Sequence, residues 1–198
     1  MLDFKIKRLD NIRINFVDLQ EYYAMVQQEF QGLKWTVPNN INTMTHSVSN
    51  MYSWAVQSNL IDPTVPCPPY HIDGIEGVSE ADDFSVPTDL IFGFAQRLIR
   101  ALPNIRQTAI TGHPSKTRID LHPDNDNFLK IHIPIVTNPD AWFFFEDEKF
   151  NLEAGSVYMV NTALPHGTEN LGSTDRVHMM CKFPYSDAQN ILNGNYTI

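Results

Sequence analysis

The hydrophobic pattern changes period near the middle of the chain. Up to about residue 104, most apolar positions recur at helical spacing; beyond it they alternate in short runs parted by turn formers. The N-terminal stretch FKIKRLDNIRINF alternates and predicts one or two short strands. Leu19, Tyr22, Tyr23, Val26 and Phe30 then form one helical stripe over 19–30, with Asp18 as N-cap and Glu21 three residues on, as in a capping box. A second short helix is expected at 51–60. Pro63, Pro66, Pro68 and Pro69 enforce an extended connection, and Glu76, Glu80, Asp82 and Asp83 mark a solvated loop. Thr88 is a candidate cap for a third helix that carries Leu90, Ile91, Phe94, Leu98 and Ile99 on one face and ends by Pro103.

Strands are expected at 106–110, 117–121, 129–136, 142–146, 156–161 and 176–183, separated by turns such as His113-Pro114-Ser115 and Glu153-Ala154-Gly155. Six short strands with regular turns predict a sandwich or jelly-roll barrel, mainly β, with the N-terminal helices covering one face of a sheet. The apolar run 142–145 reads as barrel core, and 146–149 as a solvated hairpin turn. No composition break divides the chain, so one domain over 1–198 is expected. Its mixed part spans 1–104, its barrel core 105–184 and its C-terminal tail 185–198.

Composition narrows the functional classes. Apolar residues make up 42% and aromatics 11% of the 198, enough for a real core. The 14 basic and 23 acidic residues leave a net charge of −9. That argues against nucleic acid or an anionic membrane as partner. No run approaches the ~18 apolar residues of a membrane span, and the N-terminus lacks a secretory apolar region, so a cytoplasmic protein is expected. Two cysteines, Cys67 and Cys181, are too few for a disulfide framework or a cysteine zinc site. Cys181 alternates with Val177 and Met179 and reads as a packed thiol.

Seven histidines remain to be explained, five of them after residue 110. His122-Pro123-Asp124 is a His-x-Asp at a strand end, where residues two apart point to the same side. His166 lies 44 residues on, just after a strand, and Arg176 follows ten residues later. Two histidines and a carboxylate form a facial set that holds Fe(II) and leaves positions open for a co-substrate and oxygen. Alternation puts the isoleucines of LKIHIPI on one face and Lys130 and His132 on the other. Arg176, His178 and Met180 share a face of the last strand. Such a cationic face inside a barrel is costly unless an anion binds there, and it suits a dicarboxylate such as 2-oxoglutarate. Arg118, a spare cation in the strand before His122, is a candidate for a substrate carboxylate. His113 reads as a loop residue, and His46 and His71 fall outside the barrel motifs. Asp124-Asn125-Asp126-Asn127 imitates a calcium loop but has Ile135 where that loop needs glutamate.

Over about 111–183 the chain resembles the aspartyl/asparaginyl β-hydroxylase superfamily of Fe(II)- and 2-oxoglutarate-dependent oxygenases, which includes free-proline hydroxylases. The resemblance rests on LHPDND, LKIHIPIVTN, EAGSVYMVN, LPHGTEN and DRVHMMCKF. It implies a double-stranded β-helix (a cupin-like jelly roll), with His122, Asp124 and His166 in the metal-ligand places. It puts Arg176 where the family binds the distal carboxylate of 2-oxoglutarate, and Lys130 and His132 near the co-substrate. The implied activity is O2-dependent hydroxylation of an amino-acid side chain, with release of succinate and CO2. The substrate is either a free amino acid such as proline or a peptidyl Asp, Asn or Pro. Asp124 itself favours the bacterial and free-amino-acid branch. Two other classes stay open: a cupin-like metalloenzyme that does not use 2-oxoglutarate, and a non-catalytic barrel that binds a small acid.

Overall fold

Alternation at the N-terminus yields two short strands, β1 (Ile6–Arg8) and β2 (Ile12–Arg13), in the computed structural model, which describes residues 2–36, 51–58, 84–124 and 127–198. Helix α1 (Phe16–Glu29) follows. Its cap is Asn15, not Asp18. The Asn15 side-chain oxygen accepts from the Val17 and Asp18 backbone N–H groups, and its amide donates to the Asp18 carboxylate at 2.8 Å. The cap therefore lies three residues earlier than expected and is not a reciprocal capping box, because the Asn15 backbone N–H donates to the Ile198 carbonyl instead of to Asp18. The buried stripe of α1 is Leu19, Tyr22, Tyr23 and Val26, as the periodicity predicts.

A short 3-10 turn and β3 (Trp35–Thr36) come next, then β4 (Tyr52–Ala55), β5 (Gln57–Ser58) and β6 (Val86–Pro87). Where the helix expected at 51–60 is described, the chain instead forms the two strands β4 and β5, parted by a bend at Val56. All four residues of β4 are buried, and sheet pairing outweighs a weak local helical pattern. The proline-rich and acidic segments, with His46, Cys67 and His71, lie outside the described residues. Helix α2 (Gly93–Ala101) buries Phe94, Ala95 and Leu98. Thr88 does not cap it; its hydroxyl donates to the Ala55 carbonyl at 2.8 Å and accepts from the Leu90 N–H at 3.2 Å, pinning the turn before the helix.

The second half is strand after strand: β7 (Arg106–His113), β8 (Thr117–His122), β9 (Phe128–Val136), β10 (Ala141–Phe145), β11 (Lys149–Phe150), β12 (Tyr158–Val160), β13 (His166–Asn170) and β14 (Arg176–Pro184). The tail is itself folded, with a short helix α3 (Ala188–Asn193) and β15 (Tyr196–Thr197), which pairs parallel with β2. A seven-stranded antiparallel sheet has the order β1-β12-β9-β14-β7-β4-β3, and a four-stranded antiparallel sheet has the order β11-β10-β13-β8. The architecture is mainly β, a jelly roll with flanking helices. The main core lies on the helix-covered face of the large sheet, where Leu19, Val26, Phe94 and Leu98 pack with Ile131, Ile133, Ile135, Met179 and Cys181. Burial pushes the Cys181 thiol up to about 12, which keeps it inert. No helix among the described residues is long and apolar enough to cross a membrane.

Strand β13 was not expected from its polar sequence, HGTEN. It forms because it is paired on both sides, with β10 and β8, and its register against β8 shifts between His166 and Thr168. Gly167 sits at that shift. A Cβ there would run into the Phe144 ring and approach the Ile119 carbonyl oxygen to 2.6 Å. Gly167→Ala is therefore expected to destabilise the fold by about 2 kcal/mol, the scale of an overpacked interior. A urea midpoint equal to that of the wild type would show that the strand has room to shift.

Candidate metal centre

Strands β8 and β13, paired at one edge of the small sheet, bring His122 and His166 together. His122 closes β8, His166 opens β13, and the two are register partners with rings 4.7 Å apart. Asp124 lies beyond the end of β8, so strand alternation does not place it. Its backbone N–H donates to the Thr162 carbonyl at 2.8 Å, which turns the chain back toward β13. Asp124 Oδ1 then lies 3.9 Å from His122 Nε2, and Oδ2 lies 3.8 Å from His166 Nε2. One ligand atom from each of the three residues falls within 4.8 Å of the others.

Backbone carbonyls set the histidine tautomers. His122 Nδ1 is 2.8 Å from the Asp120 carbonyl oxygen, and His166 Nδ1 is 3.0 Å from that of Leu164. A carbonyl only accepts, so each Nδ1 carries the proton and each Nε2 keeps its lone pair for a metal. Burial and the Lys130 charge push His166 down to about 4, so it is neutral at pH 7. For Asp124, burial works to raise the pKa, but the charges of Lys130, His166 and Lys182 outweigh it and hold the carboxyl well below its usual range. The Lys130 ammonium lies 2.6 Å from Asp124 Oδ2. Lys130 thus reaches the site as the ion-pair partner of a candidate ligand.

Behind this set lies a polar interior on the second face of the large sheet. Arg176 is 3% exposed and has no carboxylate in reach among the described residues. Its contacts are His178 Nδ1, 3.3 Å from Nη2, and the face of Phe143, 4.8 Å from the guanidinium carbon. Burial alone pulls its pKa down, to about 9, which leaves it charged at pH 7. His178 Nδ1 is also 3.3 Å from His132 Nδ1, and the Nε2 atoms of both rings are buried without a partner. His113 joins them. It is not in a loop but is the last residue of β7, buried, in register with Arg176, with its Nδ1 3.4 Å from the Thr168 hydroxyl. Its turn-like context, Gly-His-Pro, hid the strand; β7 runs through Gly112 because the Tyr52 ring lies where a side chain would be. Alternation with the core residue Ile110 is the signal that would have found it.

Two expectations change. The rings beside the site are Phe143, 4.9 Å from His132, and Phe145, 6.3 Å from His166. Trp142 and Phe144, read from sequence with the rest of 142–145 as barrel core, alternate onto the opposite side, where the Arg118 guanidinium carbon lies 4.6 Å from the Phe144 ring. Nor is Arg118 a spare cation. It donates to Glu169 at 2.7 Å and Asp120 at 2.9 Å, and Lys149 donates to the other oxygen of the buried Glu169. Arg118 joins strands instead of awaiting a substrate.

The buried histidines have a consequence for pH. Burial holds His113, His132 and His178 well below their usual pKa, with the Arg176 charge acting in the same direction. As pH falls below about 6.5 the unfolded chain takes up protons that the folded chain refuses, so stability is lost on acidification and is fully present above that pH. The denaturant midpoint should hold between pH 7.5 and about 6.5 and then fall steadily to pH 5.5; a flat profile over the lower range would mean that these rings are accessible to protons in the fold.

A model of the aspartyl/asparaginyl beta-hydroxylase family matches residues 94–185, which bears out the resemblance read from the motifs. Among solved structures, a Pseudomonas putida prolyl-4-hydroxylase matches at 11% identity with TM-score 0.50, covering 92% of each chain. A viral collagen prolyl hydroxylase from Paramecium Bursaria Chlorella virus-1, solved with 2-oxoglutarate, matches 41% of this chain and 59% of its own at 9% identity and TM-score 0.37. HygX from Streptomyces hygroscopicus, solved with nickel and 2-oxoglutarate, matches 41% of this chain and 56% of its own at 13% identity and TM-score 0.34. No curated protein matches. The full-length likeness supports the jelly-roll fold.

Proposed function

We propose that this chain, similar over residues 94–185 to the aspartyl/asparaginyl β-hydroxylase family, is an Fe(II)- and 2-oxoglutarate-dependent oxygenase that hydroxylates an amino-acid side chain. The observation that carries the reading is Arg176: a buried guanidinium with no acid of its own among the described residues, beside a two-histidine, one-carboxylate set. An isolated buried charge is costly, and a bound carboxylate is the natural partner for its planar fork.

The residues fit the implied metal. Two imidazole nitrogens with lone pairs and an ionised carboxylate are a donor set that Fe(II) accepts, and three protein ligands leave positions open. His122, Asp124 and His166 would hold it. When bound, Fe(II) with 2-oxoglutarate and O2 supplies the oxidising chemistry and releases succinate and CO2. The chain's own groups do the rest. Arg176 binds the distal carboxylate of the co-substrate. The Asp120 and Leu164 carbonyls keep His122 and His166 aimed. Lys130 balances the Asp124 charge, and with His132 it completes the polar wall. Phe143 and Phe145 keep water from the space between arginine and metal. The substrate we favour is an amino-acid side chain, either free, as in proline, or peptidyl Asp, Asn or Pro.

Calorimetry with Mn(II) as a redox-silent stand-in, followed by a succinate-release screen over free amino acids and short peptides with Fe(II), tests the reading. Metal-dependent binding of 2-oxoglutarate and substrate-stimulated succinate are expected. Metal binding with no affinity for 2-oxoglutarate would favour a cupin-like enzyme of another chemistry. No metal binding at all would leave a small-acid-binding barrel.

A further inference from the structure

Three neutral histidines surround Arg176, yet only one touches its guanidinium. Strand β14 puts Arg176 and His178 two residues apart on one face. Across the pair with β9, His178 faces Pro134 and Met180 faces His132, so His178 and His132 are diagonal neighbours. Arginine has donors and no acceptor, so the 3.3 Å contact with Arg176 Nη2 requires a lone pair on His178 Nδ1. The proton of His178 is then on Nε2. The same lone pair lies 3.3 Å from His132 Nδ1, and two lone pairs would repel, so His132 carries its proton on Nδ1 and points it at His178.

We infer that His178 is a positioning residue for the co-substrate: its Nδ1 lone pair holds the Arg176 guanidinium in place and sets the tautomer of His132. The inference rests on the oxygenase reading and extends it to a residue that touches none of the candidate metal ligands. Its physical content is orientation. Without His178, nothing polar among the described residues holds the Arg176 fork, and the guanidinium is free to turn about its stem on the Phe143 ring. A fork that must be re-ordered at each binding event binds more weakly. A second consequence concerns His132. With its proton committed to His178, its unpartnered Nε2 is an acceptor. Within the Arg176–His178–His132 chain, the N–H groups left for an anion are those of Arg176 and the Nε2–H of His178.

The test compares His178→Leu, which removes the acceptor, with His178→Asn, whose Oδ1 replaces Nδ1 as an acceptor. For the Mn(II)-loaded protein, His178→Leu should raise the calorimetric Kd for 2-oxoglutarate about tenfold, and His178→Asn should stay within about twofold of wild type. In Fe(II) assays the loss should appear in the KM for 2-oxoglutarate with kcat nearly kept, a split that general destabilisation does not produce. Nitrogen-15 NMR of the wild-type imidazoles, with no metal or ligand added, should show His178 protonated on Nε2 and His132 on Nδ1. A proton on His178 Nδ1 overturns the inference even if no variant folds. Wild-type Kd in His178→Leu overturns it while the oxygenase reading stands. A wild type that binds no 2-oxoglutarate overturns that reading and takes the inference with it.

Discussion

His166→Ala is expected to abolish turnover and to weaken Mn(II) binding by more than about 100-fold, beyond the 10–100-fold typical of losing a group that merely supports a ligand. His166 is the most deeply buried of the three candidate ligands, and its Nε2 is held ready by the Leu164 carbonyl and by burial that keeps it neutral. Its removal leaves Asp124 paired with Lys130 at 2.6 Å and leaves one imidazole, His122, to hold the ion. An ammonium already on the carboxylate competes with a weakly held cation, so the loss should exceed that of a single donor. The fold should survive, because the ring's hydrogen bond goes to a carbonyl two residues away and ties no distant elements. Calorimetry with Mn(II) and succinate release with Fe(II) provide the measurement. Near-normal succinate production by this variant would place the metal elsewhere.

Arg176 should show opposite effects on binding and on stability. Arg176→Lys is expected to raise the Kd for 2-oxoglutarate more than tenfold, about 1.4 kcal/mol or more. Lysine keeps the charge but loses the planar fork that meets both oxygens of a carboxylate, and an ammonium does not stack on Phe143 as a guanidinium does. Arg176→Met should lose 2-oxoglutarate binding altogether and, with no ligand present, should unfold at a higher temperature than wild type. The reason is that the wild-type protein keeps a desolvated cation with no acid beside it among the described residues, and an apolar side chain of similar reach removes that cost. Thermal unfolding with and without 2-oxoglutarate measures both effects. A less stable Arg176→Met would mean that the cation is compensated in the fold, and an unchanged Kd in Arg176→Lys would move the clamp away from β14.

Much of the site was legible because it lies on strands. The residues of LKIHIPI divided as period two demands: Ile131, Ile133 and Ile135 enter the helix-covered core, while His132 faces Phe143 and His178. DRVHMMC divided the same way, which put Arg176 and His178 together and Cys181 in the core. Legibility failed where pairing partners decide. The residues of β4 were read as helix because local spacing cannot show that β7 offers a free edge. HGTEN is missing from the expected strands because a strand paired on both sides needs no apolar alternation. An unbroken apolar run such as 142–145 does not reveal which of its faces points inward, so the sequence does not single out Phe143 and Phe145 as the rings beside the site.

The sequence by itself determined the chemical inventory. His122, Asp124, His166 and Arg176 stand as candidates on spacing and motif alone, since alternation and a turn at a strand end are local properties. Tertiary structure decided what those groups meet. It set Arg118 on Glu169, brought Lys130 onto Asp124, turned His113 inward and left Arg176 without an acid among the described residues. Charge pairing, tautomer and desolvation depend on atoms far apart in the chain, and only the packing of the two sheets brings those atoms within a few ångströms of one another.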